Sequence, residues 1–281
     1  ARAFTGYRAQ PLQGGEFRFA PLQHDGTPKT IFGETGDFAG DDVIDLAYRQ
    51  KAAASFLPRE LVKFYLSDTP LPADYLAALG EEWSASGFDL RALARQFFGS
   101  RLFFAPEFRG NFIKSPVQFY LGLVQDLELN VTPLPRSTLN PLRQMGQWLY
   151  YPPNVRGWVG GRNWINSATL AVRRQLVESL FAPLDENNLN ADEQIELVAA
   201  RTNGITEFTV SDQRLSDMAK LDPPAAADHL VDTFLAVPVA PEFRASVRQF
   251  LASAGADEKQ RLRRTRRAAV TLFQSPEYQL C

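Results

Sequence analysis

The stretch "QHDGTPK", residues 23–29, sets an imidazole beside a carboxylate with an ammonium four residues on. His24 and Asp25 next to each other have the makings of a general base, and Lys29 could hold an anion. The plainer reading is a turn, in which Asp25 bonds nearby backbone amides and His24 flanks it. A second stretch, "YYPPNVRGWVGGRNWINSATL" (150–170), offers a different chemistry. The flat faces of Trp158 and Trp164, with amides such as that of Asn154 close by, would suit a sugar ring. Pro152 and Pro153 stiffen the approach, and Gly157, Gly160 and Gly161 permit positive φ. Long ordered loops of this kind are often functional. The competing reading is that Trp158 and Trp164 close the core, as tryptophan usually does.

Two lysines among apolar neighbours, Lys63 and Lys114, have the setting of an amine with a lowered pKa, although a lysine snorkelling along an apolar face is commoner. Asp37, Asp41 and Asp42 lack the alternating oxygen ligands and closing glutamate of a calcium loop, and read as helix caps. No strand–turn–helix serine elbow, Ser-x-x-Lys motif or phosphate-binding glycine loop is present. The chain has one cysteine, Cys281, and two histidines, His24 and His229. That excludes cysteine-based zinc sites and leaves too few histidines for a histidine-rich one, so no metal site is expected. The chemistry that remains is acid–base work at the hairpin or ligand binding at the aromatic loop.

The elements that must position these residues are mostly helical. Three- and four-residue apolar spacing recurs in "FLPRELVKFYLS", in "PADYLAALGEEWSASGFDLRALARQFFGS" (two helices broken at Ser86-Gly87, Asp89 capping the second), and in "SPVQFYLGLVQDLEL", with Ser115 as cap and Pro116 in the first turn. Asp41 or Asp42 caps a helix in "GDDVIDLAYRQ". Further helices are expected in "TLNPLRQMGQWLY", in "INSATLAVRRQLVESLF" (Asn163 as its cap), at 191–202, 211–220 and 225–236, and as a pair within 241–279. The β signal is confined to residues 14–36, where Phe17 and Phe19 alternate with polar neighbours, His24 to Thr27 turn, and Lys29 to Phe32 return. The spacing therefore predicts a mainly α fold, an irregular helical bundle with one β-hairpin near the N-terminus. Residues 1–182 carry the hairpin and a helical core, and 183–281 form a helical region packed on it. Two segments, "RALARQFFGSRLFF" and "RRAAVTLFQSPEYQ", end a helix in serine with an aromatic three residues later, a packing device used twice.

With 30 basic and 32 acidic side chains the net charge is −2, without the basic excess of a nucleic-acid binder. The dense run "RLRRTRR", Arg261 to Arg267, reads as a solvated helix face. Aromatics at 12% exclude a disordered composition. No apolar run approaches the ~20 residues of a membrane span.

Five motifs occur in order: "ARAFTGY"; "FRFAPLQHDGTPKTIFGETGDFAGDD"; "FLPRELVKFYLS"; "KSPVQF"; and "PPNVRGWVGGRNWINSATL". Together they resemble the bacterial family known as domain of unknown function 1800, most clearly through residue 170. Tyr7 stands where members usually carry tryptophan. The resemblance implies an exported protein, periplasmic or extracellular, and a sulfatase-like protein as a partner; no activity comes with it. It matches His24, Asp25, Lys29, Lys63, Asn154, Trp158 and Trp164 and adds Asn166 to the ligand-binding candidates. It also implies further polar motifs upstream of "ARAFTGY". That segment reads as a helix's last turn capped by Gly6, so we expect an N-terminal remainder of the same protein to complete any catalytic site, and Phe4 to be packed. We further expect the hairpin and the aromatic loop to share one site, with His24 and Trp158 within about 20 Å.

Overall fold

A computed structural model describes residues 1–10, 15–69, 71–126, 135–206, 208–210, 212–253, 255 and 257–281. The chain forms two compact units, Ala1–Ala105 and Pro106–Cys281. It is mainly α, as the periodicity predicts, and among the described residues it has two small antiparallel sheets near the front.

The first unit opens on a 3-10 turn, Arg2–Phe4, followed by two hairpins. β1 (Tyr7–Gln10) pairs with β2 (Glu16–Phe19), and β3 (Lys29–Ile31) pairs with β4 (Glu34–Gly36). This corrects the single hairpin read from the sequence. The 17–19 strand finds its partner at 7–9, and the 29–31 strand turns back at Phe32 and Gly33. Those two residues have φ of 50° and 88°, the doubly positive pattern of a tight two-residue hairpin turn. Phenylalanine is an unusual occupant of such a turn, which is why the sequence hides it.

Helices follow: α1 (Gly40–Tyr48), α2 (Lys51–Tyr65), α3 (Ala73–Ala85) and α4 (Leu90–Phe98). Asp42 starts α1 from inside its first turn, accepting the Ala39 amide at 2.8 Å. Asp89 caps α4 as expected, accepting the amides of Arg91 and Ala92. Gly40 lets α1 meet the sheet: a Cβ there would lie 2.7 Å from the Tyr7 hydroxyl, which accepts the Gly40 amide. Gly80 does the same for helices, since its Cβ would lie 2.6 Å from the Ala54 carbonyl of α2. Leu46, Val62, Leu79, Trp83, Leu93 and Phe97 are buried. Phe4 is half exposed, its ring 6.0 Å from Tyr7.

The second unit holds α5 (Pro116–Asp126), α6 (Pro135–Gln144), α7 (Ser167–Phe181), α8 (Ala191–Thr202), α9 (Asp212–Lys220), α10 (Pro223–Phe234), α11 (Pro241–Ala252) and α12 (Glu258–Gln274). All but α8 build one main core, and Leu197 of α8 packs with Phe208 in a smaller cluster. Ser115 and Gln118 cap α5 reciprocally, side chain to amide in both directions. Phe119, Leu123, Val177, Leu230 and Phe273 meet in that core, so residues on both sides of position 182 pack together. The repeated serine device is present. The Ser100 hydroxyl oxygen accepts the Phe103 amide after α4, and that of Ser275 accepts the Tyr278 amide after α12.

The arginine run is less solvated than its composition suggests. Arg261 donates to the Leu221 carbonyl at 2.6 Å, Arg264 to the Phe250 carbonyl and the Ser253 hydroxyl, and Arg266 to the carbonyls of Phe181 and Val210. Three of these guanidiniums staple α12 to its neighbours, and Arg263 and Arg267 are exposed.

Candidate functional site

In the first unit, Thr5 organises the region around His24. Its carbonyl is 3.0 Å from His24 Nδ1, and its hydroxyl accepts the Asp25 amide at 2.7 Å while donating to the Arg2 carbonyl. A carbonyl can only accept, so in the neutral ring Nδ1 carries the hydrogen and Nε2 the basic lone pair. The partner of His24 is therefore backbone, and Asp25 is engaged elsewhere. Asp25 accepts the Thr27 amide at 3.0 Å and the Thr27 hydroxyl, and lies 3.5 Å from Arg2. The Thr27 hydroxyl, then its amide, hold the Asp25 carboxyl below its usual value, with Arg2 and Lys29 adding to the shift. Lys29 is 4% exposed and its Nζ sits 3.2 Å from Asp37 Oδ1. The structure thus gathers Arg2, Thr5, His24, Asp25 and Thr27 and directs Lys29 to Asp37. Asp25 builds its own turn, and the imidazole is supported through a main-chain carbonyl. Lys63 is exposed on α2.

In the second unit the aromatic loop is ordered by its own small residues. Asn154 Oδ1 accepts the Arg156 amide at 2.9 Å, and the Gly157 amide donates to the Asn154 carbonyl, with Gly157 at φ 82°. A 3-10 turn, Gly161–Trp164, leads into α7. The cap of α7 is Asn166, whose Oδ1 accepts the Thr169 amide at 2.9 Å while Thr169 Oγ1 accepts the Asn166 amide. Asn163, expected to cap, instead bonds the Gly160 carbonyl. Trp164 is 7% exposed and closes the core beside Gly146 and Gly160. Trp158 is half-buried and Asn154 exposed.

The most exposed aromatic side chains of this region come just before the motif. Trp148 is 43% exposed and its ring centre lies 4.8 Å from that of Tyr151, the planes inclined by 37°. The Arg143 guanidinium sits 4.6 Å from the Trp148 ring, within cation–π reach. Tyr150, with φ 62°, is 96% exposed, and Val155 and Val159 are exposed beyond it. Gln147 anchors the segment by accepting the Val117 amide of α5 at 3.0 Å. Sequence reasoning passed over Arg143, Trp148 and Tyr151 because Trp148 sits in what reads as a helix tail, where an aromatic is ordinarily core. The double tyrosine before a double proline was the available signal. The hairpin residues belong to the first unit and this loop to the second.

A buried polar group surrounds Lys114, which is 8% exposed. Its Nζ lies 3.5 Å from the Tyr278 ring centre, and burial pushes its pKa down against the pull of Asp126. Tyr278 donates to Asp126 at 2.8 Å; burial raises the Asp126 carboxyl, partly offset by that bond. Among the described residues, no group of three or more His, Cys, Asp or Glu side chains converges as a metal site would, and no helix is long and apolar enough to cross a membrane.

Comparison with curated proteins found no match, nor did comparison with solved structures. The profile of the family described as "Protein of unknown function (DUF1800)" matches residues 1–280. The matched span includes the histidine turn, the buried lysine and the whole aromatic loop, and the chain belongs to that family.

Proposed function

We propose that the chain is a binding or accessory module for an extracellular or envelope polymer, carbohydrate by class, held on the Trp148–Tyr151 platform. The observation that supports this is a pair of adjacent, solvent-exposed aromatic side chains, with Arg143 over the Trp148 ring, carried on a loop stiffened by Pro152, Pro153 and the Asn154 turn. Sugar rings present C–H faces that pack on aromatic carbon, and amide and guanidinium donors at the rim take up hydroxyls. The exposed Asn154 and the half-buried Trp158 follow in the same loop, while Trp164 is buried and Asn166 caps α7. A glycan array compares wild type with Trp148→Ala and with Trp158→Ala. Binding by wild type that falls at least tenfold in Trp148→Ala is expected, and no glycan bound by any of the three sinks the reading. Export, and a sulfatase-like partner, belong to the same proposal on the strength of family resemblance; fractionation of the native host and co-purification test them.

A second reading is a hydrolase or transferase built on His24, with the rest of its acid–base groups supplied by an N-terminal remainder of the protein. The orientation of the ring by the Thr5 carbonyl favours it, because that leaves Nε2 basic. His24→Ala in the longest natural form must then abolish turnover of any substrate found; full activity in that variant rules it out.

A further inference from the structure

The second unit carries a cleft that neither reading uses. It is about 550 Å³, and its apolar side is made by Phe181 and Pro183 at the end of α7, Val210, and Leu262 of α12. Its other side is cationic: Lys259, Arg263 and Arg266 lie four and three residues apart on α12 and all line it. Like charges at these spacings repel one another along a helix. Three other arginines of this unit have carboxylate partners: Arg244 pairs with Asp228 and Asp232, Arg248 with Asp228, and Arg201 with Glu186. Among the described residues no carboxylate pairs with Lys259 or Arg263. Of the two acids at the start of the helix, Asp257 is occupied as the α12 cap, accepting the Lys259 amide, and Glu258 acts on Lys220.

Two acceptors at the cleft are quenched as well: Arg266 donates to the main-chain carbonyls of Phe181 and Val210. What remains open to a ligand is two unneutralised cations, the Thr209 side chain and an apolar wall. The size lies within the range of small-molecule sites, which combine apolar lining with a few placed polar groups.

We infer that this cleft binds a small anionic amphiphile, a carboxylate or phosphate head held by Lys259 and Arg263 with its apolar arm along Phe181, Pro183 and Leu262. The wall gives no purchase to a bare ion, and the cations give none to a neutral alkyl chain, so both halves of the ligand are required. A charged head at a surface site also makes the affinity fall with added salt.

The test is calorimetric titration of the whole chain with octanoate, octyl phosphate, octanol and inorganic phosphate, repeated on Lys259→Gln/Arg263→Gln. Both replaced side chains are exposed, so the variant is expected to fold, and its melting temperature checks that it does. Expected is binding of octanoate or octyl phosphate at least tenfold tighter than octanol or phosphate, lost at least tenfold in the variant and weakened by salt. Octanol binding as tightly as octanoate, phosphate alone binding as tightly as octyl phosphate, no octyl anion bound, or an unchanged affinity in the folded variant would each overturn the inference. A further arm uses sedimentation with phosphatidylglycerol vesicles. Vesicle binding that needs both cations, without binding of free octanoate or octyl phosphate, would assign the cleft to a membrane surface and overturn the free-ligand reading.

Discussion

Arg173 of α7 and Gln279, 106 residues apart, meet in the core of the second unit through a 3.0 Å Nη1–Oε1 bond. The same guanidinium donates to the Lys114 carbonyl at 2.7 Å and lies over the Phe119 ring, yet it is 1% exposed and its Nε has no partner. No carboxylate pairs with it among the described residues. Burial alone lowers its pKa to about 10, so the charge is held at a cost and returns geometry: it ties α7, the 112–114 segment and the C-terminal turn together.

Arg173→Ala is expected to lose about 2–4 kcal/mol, because it leaves a cavity and strands the Gln279 amide and Lys114 carbonyl. Arg173→Met fills the volume without a charge to desolvate and is expected to recover at least about 1 kcal/mol of that loss. Urea unfolding of the three proteins decides it; equal stability of the two variants would mean the cavity contributes nothing.

Tyr278 supplies the alkaline test. Burial, then the Asp126 charge, raises its pKa above the ordinary 10.0. The folded state keeps the proton where the unfolded chain has lost it, so this contribution is complete below pH 10 and is lost as pH rises beyond it. Tyr278→Phe gives up the bond to Asp126, about 1 kcal/mol at pH 7, and escapes that loss. The gap in melting temperature between wild type and variant should therefore narrow from pH 7 to pH 11. A constant gap would contradict the assignment.

On the acid side Asp228 is held below 3.8 by its bonds to Arg248 and then Arg244. A depressed carboxyl contributes stability that is full above pH 3.8 and disappears as pH falls through the lower folded value. Asp228→Asn is expected to melt below wild type at pH 7 and to converge with it near pH 2.

Asn166 separates a cap from a ligand contact. Asn166→Ala should cost about 1 kcal/mol by freeing the Thr169 amide, and Asn166→Asp should restore most of it. Glycan affinity should be unchanged in Asn166→Asp; a selective loss of binding there, at unaltered stability, would return Asn166 to the binding surface.

Gly80→Ala tests the crossing of α2 and α3. The added methyl would meet the Ala54 carbonyl at 2.6 Å, and main chain cannot swing aside as a side-chain tip can. Destabilisation of about 1–3 kcal/mol is expected, read as earlier proteolysis of the first unit.

Where the sequence was legible, a local rule governed the outcome. Asp89, Ser115 and the break at Ser86-Gly87 stand where capping chemistry puts them, since a cap needs only its own next three residues. The strand pairing was misread because pairing is non-local, and the deciding turn used Phe32 in a conformation composition does not advertise. The site was legible by neighbourhood more than by residue. The loop around Asn154 was marked by its prolines and glycines, but burial decides which ring faces water, and Trp164 went inward while Trp148 stayed out. His24 and Asp25 are adjacent in sequence and still do not bond one another, because Thr27 and Arg2 satisfy the carboxylate first.

The ring of Phe119 rests 5.7 Å from that of Tyr278, and the strand-like bridge between Ile113 and Leu280 lies beside it. For a chain made from its N-terminus, α5 therefore emerges about 160 residues ahead of the surface that covers it. At roughly 5–20 residues per second, its apolar face waits on the order of ten to thirty seconds. The first unit, whose helices pack on near neighbours, can close long before that. Closure of the second is a long-range event, slow by topology, and the interval is one in which Phe119 and Leu123 are open to a holding chaperone or to another nascent copy.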